Sequence, residues 1–290
     1  MTDFLIASNS FPSSLAFCYR LTRRSRSSFR FAFRLLPQHK REGMNALYAY
    51  MRATDDIADA PGEPDRKHQQ LHCWRLRLEL ALRGQYSHRV HAALHATVQR
   101  FGIPCEYLYQ VIQGVECDIE PQPFRTFEEL QQYCYRVASV VGLACVRIWG
   151  LRSPDAEAAH REPAIAAGIA FQLTNILRDL AEDHTQERCY LPAEECVQFG
   201  ISPNSWNAPQ HREALQKFLT FQIARARQFY AQSVPLNELL SSDGQRVFRL
   251  MSQSYESLLN RIEAAGPDVL LRRVRVSKWV KLRLLAASVW

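Results

Sequence analysis

Residues 172–183 read Gln-Leu-Thr-Asn-Ile-Leu-Arg-Asp-Leu-Ala-Glu-Asp, and this stretch constrains the chain more than any other. Apolar Phe171, Leu173, Ile176, Leu177 and Leu180 recur at three- and four-residue spacing with no Pro or Gly between them, which predicts a helix. On that helix Asn175, Asp179 and Asp183 follow at i, i+4 and line one stripe. Oxygen-bearing side chains on one stripe, two of them carboxylates, suit a hard cation such as Mg²⁺. One such stripe alone is more readily a solvated face. A second copy changes that reading. Residues 47–59 are also helical in pattern and carry Asp55 and Asp59 at i, i+4, with Asp55 lying 124 positions before Asp179 (179 − 55). Packed face to face, the two helices would enclose a cavity with a carboxylate rim on each side.

The rest of the chain supports an all-α protein. Only 11 of 290 residues are Gly, long stretches lack Pro, and no alternating strand pattern or internal repeat is present. An apolar fraction of 47% supports a substantial core, while the mean hydropathy of −0.27 argues against a membrane-spanning protein. The longest apolar run, 137–149, is broken by Arg147 and falls short of the roughly 18 to 20 residues of a spanning helix. No basic n-region precedes an apolar run at the start, so a secretory signal is not expected. Eight scattered cysteines without a C-x-x-C pair read as core thiols in a reducing compartment rather than as disulfides or zinc ligands. A cytoplasmic protein is the expectation.

The net charge of +7 is unevenly spread. Residues 20–41 hold eight Lys/Arg and no acid, and residues 272–283 hold six and no acid; without those 14 the balance is 22 basic to 29 acidic. Neither segment carries a nucleic-acid-binding motif. Small phosphates or an anionic membrane surface are the better-matched partners.

Along the chain, residues 1–12 read as a loose lead-in and 13–290 as one all-α domain. Ser13 and Ser14 are the expected N-caps of a helix through Leu21. The serines before Phe29 cap a second helix whose amides would attract phosphate, and Pro37 interrupts it. A long helix leads into the first Asp pair, and residues 60–64 form a loop. Helices are expected over 66–83, 87–101, from Pro104 toward Asp118, 127–149, through the second Asp pair, 211–233, 242–265 and from 268 to the end. Residues 201–209 are the expected polar loop.

The assembled motifs resemble the squalene/phytoene synthase family of head-to-head prenyl transferases, over about residues 17–284. They are Ser27-Ser28-Phe29 with Leu-Leu-Pro37, Tyr-Ala-Tyr-Met-Arg52-x-x-Asp55-Asp56-x-x-Asp59, Tyr133-Cys-Tyr-x-Val-Ala, the 172–183 stretch and the trailing Tyr190-Leu-Pro. The resemblance implies an isoprenoid-synthase-type helical bundle around a central cavity. It implies that Asp55, Asp59, Asn175, Asp179 and Asp183 hold Mg²⁺, with Mn²⁺ as a substitute, on the diphosphates of two substrates. Ser27, Ser28, Gln172, Arg52, Arg178 and Arg273 are similar to the family's substrate contacts. Tyr133 and Tyr255 match tyrosines near the reacting centre, with Arg52 beside them, and Phe29 and Phe33 match aromatics along the prenyl tail. Asp56 and Glu182 read as solvated or supporting residues. Departures from the family pattern are Ser139 where Gly is usual, Cys189 before Tyr-Leu-Pro, and Arg26 in a glycine-like slot.

The wording Asp-Asp-Ile-Ala-Asp looks most like the bacterial squalene branch, which joins two farnesyl diphosphates through presqualene diphosphate. Phytoene synthases, joining two geranylgeranyl diphosphates, share every motif. No nicotinamide-binding Gly motif appears, so NADPH is not expected. The C-terminal anchor of eukaryotic squalene synthases is not seen. Two rivals are a non-catalytic assembly factor, against which both intact Asp pairs argue, and a basic nucleic-acid binder, which gives no reason for paired-carboxylate helices. The basic, Trp279-containing C-terminal helix is a packed element or a peripheral membrane contact.

Overall fold

A computed structural model describes residues 10–24, 29–186, 188–202, 211–271 and 273–274, with the side chains of Phe29 and Arg30 excluded. The expectations for Ser27, Ser28, the Phe29 side chain, Arg26, the 203–209 part of the polar loop and the C-terminal helix beyond Val274 lie outside the described residues.

The helix periodicity of the sequence is realised over most of the described residues; the helix expected from 268 is instead a 3₁₀ turn, Gly266–Leu270, followed by irregular backbone at 273–274, and the helix expected over 87–101 begins only at His91. The long helices are α1 (Phe11–Arg24), α3 (Gln38–Asp59), α4 (Pro64–Ala81), α5 (His91–Phe101), α6 (Cys105–Glu116), α7 (Phe127–Cys134), α8 (Val140–Trp149), α10 (Arg161–Thr185), α12 (Arg212–Ser233) and α14 (Ser242–Ala265). Short α2 (Phe29–Ala32), α9 (Ala156–Ala159), α11 (Ala193–Gln198) and α13 (Leu236–Leu239) lie between them. Among the described residues no strand forms; Leu151 and Leu240 make an isolated antiparallel bridge.

Three further local expectations are corrected. Pro12 does not close the lead-in, because α1 already begins at Phe11 and a proline in the first turn costs no intrahelical hydrogen bond. Ser14 is not an N-cap: it lies inside α1, donates to Arg89 O (2.6 Å) and accepts from Ala93 N (3.0 Å), fastening α1 to α5. The helix expected over 127–149 is not uniform. Between α7 and α8, residues Tyr135–Ser139 form a π-helical turn, which shifts the side-chain register by one residue midway.

The π-turn answers a close approach. A Cβ on Gly168 of α10 would stand 2.4 Å from Ser139 Cα and 2.6 Å from Ser139 N, so the α10 backbone runs against that turn with no room for a side chain. Ser139 is fully buried, and its hydroxyl donates to Ile165 O at 2.8 Å. The extra hydroxyl is thus satisfied by α10, and Gly168 supplies the space.

A buried polar cluster ties the bundle together at one end. Lys40 on α3 pairs with Asp243 on α14 (2.9 Å) and donates to Trp149 O at the end of α8. Hydrogen bonds from the Ser241 hydroxyl to Asp243 and to Trp149 O complete it. The core forms two apolar clusters. One is built on α3, α5, α6 and α8, the other on α10, α12 and α14; Ile165 and Phe171 of α10 pack against both. All eight cysteines are free thiols. No helix among the described residues is long and apolar enough to cross a membrane.

Candidate active site

Helices α3 and α10 bring their Asp stripes onto one cavity. Asp59 from α3 and Asp179 and Asp183 from α10 line a polar opening of about 470 Å³, together with Lys67, Glu182, Gln186, Arg188 and Arg273. A separate apolar cavity of about 360 Å³ brings Asp55 and Asp118 together with Phe33, Tyr48, Met51, Tyr133 and Gln172. A second apolar lobe of about 170 Å³ shares Val137, Val141, Cys145, Gln172 and Met251 with the first. Its further lining includes Asn175, Tyr255, Phe171, Trp149 and Phe248. Asp59 of one predicted rim thus shares an opening with Asp179 and Asp183 of the other, Asp55 lines the larger apolar lobe, and the two lobes meet at Gln172.

The carboxylates are packed closely enough to perturb one another. Burial, then repulsion from Asp59, pushes Asp55 from an ordinary 3.8 up to about 7. Burial, then the charge of Asp179, does the same to Asp183, again to about 7. Arginines form ion pairs with the neighbouring acids. Arg52 pairs with Asp56 (2.6 Å) and approaches Asp59 (4.0 Å). Arg273 bridges Asp179 (2.8 Å) and Glu182 (2.7 Å), and Arg178 pairs with its neighbour Asp179. Asp56 and Glu182 are thus guanidinium partners.

Two polar arrangements lie where the lobes meet the rims. Asn175 Nδ2 donates to Gln172 Oε1 (3.2 Å), leaving Asn175 Oδ1 buried without a hydrogen-bond partner among the described residues. Such an orphaned acceptor is costly unless another group completes it. Asp118 accepts from the hydroxyls of Tyr133 (2.9 Å) and Tyr190 (2.9 Å), whose rings stack with centroids 5.4 Å apart. Burial holds Asp118 above the usual carboxylate range despite those two donors, and it raises both phenols as well. Tyr255 stacks on Phe171 at 4.5 Å.

Of the residues singled out from sequence, Asp55, Asp59, Asp179, Asp183, Asn175, Gln172, Tyr133, Tyr255, Phe33 and Arg273 line these three spaces. Arg52 and Arg178 reach them through their ion pairs. Sequence reasoning missed Asp118, Tyr190 and Arg188. The signals were present: Asp118 continues the Val111–Val115 face just past the end of α6, and Arg188 and Tyr190 stand in the irregular exit directly after the second Asp stripe.

The donor set fits Mg²⁺. Among the described residues no three His, Cys, Asp or Glu groups already converge on one point. Facing pairs of carboxylates and an orphaned amide oxygen remain, and Mg²⁺ is commonly held by one or two carboxylates together with substrate phosphates.

An all-α bundle with opposed acidic helix stripes over an apolar cavity defines an isoprenoid-synthase-type fold. A model of the squalene/phytoene synthase family matches residues 22–280, and the chain belongs to that family of prenyl transferases. Its relatives include the 15-cis-phytoene synthase of Synechococcus elongatus, 33% identical, with 91% of this chain and 89% of the relative covered. The chloroplastic phytoene synthase 2 of Solanum lycopersicum is 35% identical, covering 87% and 82%. Among solved structures, a dehydrosqualene synthase in complex with a ligand superposes with a TM-score of 0.85 at 27% identity, covering 96% of both chains. The squalene synthase HpnC from Alicyclobacillus acidocaldarius shares the fold, with a TM-score of 0.79 at 23% identity, covering 87% of this chain and 94% of that one.

Proposed function

We propose that this protein joins two farnesyl diphosphates head to head, by way of a cyclopropylcarbinyl diphosphate, to a squalene-type C30 product. The observation that carries the reading is the pair of connected apolar lobes beneath opposed Asp rims: two tails can lie side by side with both diphosphates at the polar opening. Mg²⁺ held by Asp55, Asp59, Asn175, Asp179 and Asp183 would neutralise leaving-group charge on the diphosphates. Arg52, Arg178 and Arg273 add fixed positive charge at the same opening, which requires their present carboxylate partners to be exchanged for phosphate. Gln172, where the lobes meet, orients the two chains. The allylic cation is then held among apolar walls and ring faces, including Phe33, Tyr133 and Tyr255, away from water. Closing the cyclopropane ring releases a proton, and the Tyr133 hydroxyl, fixed on Asp118, is the group set to pass it on.

The C15 choice is supported by bulk in the smaller lobe, where Trp149 and Phe248 stand with ring centroids 6.5 Å apart. A second reading, two geranylgeranyl diphosphates to C40 phytoene, is favoured by the names of the sequence relatives. Incubation of purified protein with Mg²⁺ and each diphosphate separately, without nicotinamide, followed by mass analysis, decides between them. A C30 hydrocarbon or presqualene diphosphate from the C15 substrate supports the proposal; phytoene from the C20 substrate replaces it. No product from either favours a non-catalytic relative. Asp55→Ala and Asp179→Ala are expected to abolish turnover with the helical fold retained by circular dichroism; unchanged activity refutes the metal assignment. A cytoplasmic enzyme touching the membrane through the basic C-terminal stretch 275–285 completes the proposal. Flotation with anionic liposomes at low salt tests that contact, and no flotation of the wild type removes it.

A further inference from the structure

We propose that Cys189 and Cys196 are a redox modification site, a thiol pair that a hydroperoxide closes reversibly to a disulfide in the segment that carries Tyr190 to Asp118. The Cys196 thiol donates to the Cys189 sulfur, and both residues pack on the same apolar cluster. Cys189 in turn donates to Leu191 O at 3.9 Å. The two thiols are therefore already in contact across the bend formed by Tyr190, Leu191 and Pro192, and a small movement joins them.

The partners differ in the way such a pair needs. Cys196 is 1% exposed inside α11, whereas Cys189 is half-buried and is the sulfur a small oxidant reaches first. The hydrogen bond from Cys196 holds the Cys189 thiol below its ordinary range, which favours the attacking thiolate. The Cys189 sulfur attacks the hydroxyl oxygen of the hydroperoxide and the O–O bond breaks. The other oxygen takes the Cys189 proton and leaves as water or an alcohol, and Cys189 becomes a sulfenic acid. The Cys196 sulfur then attacks the Cys189 sulfur, the S–O bond breaks, and the departing oxygen takes the Cys196 proton as water. Two electrons pass from the thiols to the peroxide. In a reducing compartment, thiol–disulfide exchange returns the pair to its free state.

Closure moves Cys189 rather than Cys196. Helix α11 is fastened by the Glu195–Arg225 ion pair (2.5 Å), by Gln222 donating to Glu195 (2.6 Å), and by Ala193 N and Glu194 N donating to Phe124 O and Arg125 O. Cys189 lies in irregular backbone between α10 and α11. Bonded sulfurs stand about 2.05 Å apart, well inside hydrogen-bonding contact, so oxidation draws Cys189 toward α11 and Tyr190 with it. The Tyr190 hydroxyl donates to Asp118 at 2.9 Å. A displacement of about 0.7 Å away from Asp118 ends that bond, and Asp118 also holds Tyr133. Oxidation thus loosens the support of the reacting centre. This consequence rests on the condensation proposed above; the bridge itself does not.

The test treats purified full-length protein with hydrogen peroxide, alkylates the remaining thiols and digests with trypsin. Cys189 and Cys196 fall in one peptide, residues 189–212, with no internal Lys or Arg. The expectation is that this peptide is recovered unalkylated and lighter by two hydrogens, and that dithiothreitol restores it. Turnover should fall at least about tenfold on oxidation and return with dithiothreitol. Cys189→Ala and Cys196→Ala should keep their turnover through the same treatment. Should Cys196→Ala, a core substitution, not fold, Cys189→Ala decides. Both cysteines alkylated after peroxide, or Cys189 oxidised beyond the sulfenic acid without a bridge, overturns the site. A bridge with turnover unchanged, or an equal loss in wild type and Cys189→Ala, overturns its effect on the reaction. A bridge in a protein that turns over neither prenyl diphosphate supports the site and counts against the condensation.

Discussion

Gly168→Ala tests the packing that shapes the cavity. The added methyl carbon would stand 2.4 Å from Ser139 Cα and 2.6 Å from Ser139 N, where an ordinary contact needs more than 3.4 Å. Both atoms are backbone, so no rotamer change relieves them; α10 and the π-turn must separate by about 1 Å. Overpacking of a tight core costs roughly 1–3 kcal/mol and more when backbone must move, so about 3 kcal/mol is expected. For a chain of this size, with an unfolding entropy near 0.6 kcal/mol/K, that lowers Tm by about 5 °C. Val137, in the same turn, lines both apolar lobes, so turnover should fall together with stability. Thermal unfolding by circular dichroism, paired with product formation at a temperature where both proteins are folded, reads the two effects. Gly142→Ala is the control, because its new carbon meets only Ala164 O at an ordinary 3.5 Å. Equal Tm for Gly168→Ala and Gly142→Ala would refute the reasoning. So would full rescue by Ser139→Gly, which removes the hydroxyl but leaves the clashing backbone.

Three further outcomes follow from the site and its supports. The folded Asp55 carboxyl, near 7 against an ordinary 3.8, holds its proton more tightly than in the unfolded chain, so its contribution to stability falls as pH rises from about 4 to 7. Asp55→Asn should therefore be the more stable protein in EDTA at pH 8, by about 2 kcal/mol after allowing for partial exposure, with a gap that shrinks toward pH 4 in urea unfolding; a pH-independent difference speaks against it. Lys40→Met strands the Asp243 charge in a buried cluster and should cost about 3–5 kcal/mol, most of it recovered when Asp243 is replaced as well; a double-mutant cycle without coupling contradicts this. Tyr133→Phe should lower kcat at least about a hundredfold with little change in KM, and Asp118→Asn should lower it less; a change confined to KM assigns Tyr133 to substrate binding instead.

The sequence by itself determined the helical class and the two acidic stripes, because both depend on short-range spacing. Asp55 with Asp59, and Asn175 with Asp179 and Asp183, share a face by the helical repeat alone, whatever surrounds them. The second copy of the stripe pointed to two helices enclosing one cavity, and the family resemblance gave that cavity its chemistry. Tertiary structure decided what lies between them. Asp118 and Tyr190 come from separate segments 72 positions apart and acquire their relation only where α6 ends against the exit from α10. The π-turn at Tyr135–Ser139 was hidden for the same reason: its apolar sequence suits a regular helix, and the register shift answers the α10 backbone pressing in at Gly168. Ser14 reads locally as a cap, yet hydrogen bonds to α5, a long-range partner, place it inside a helix.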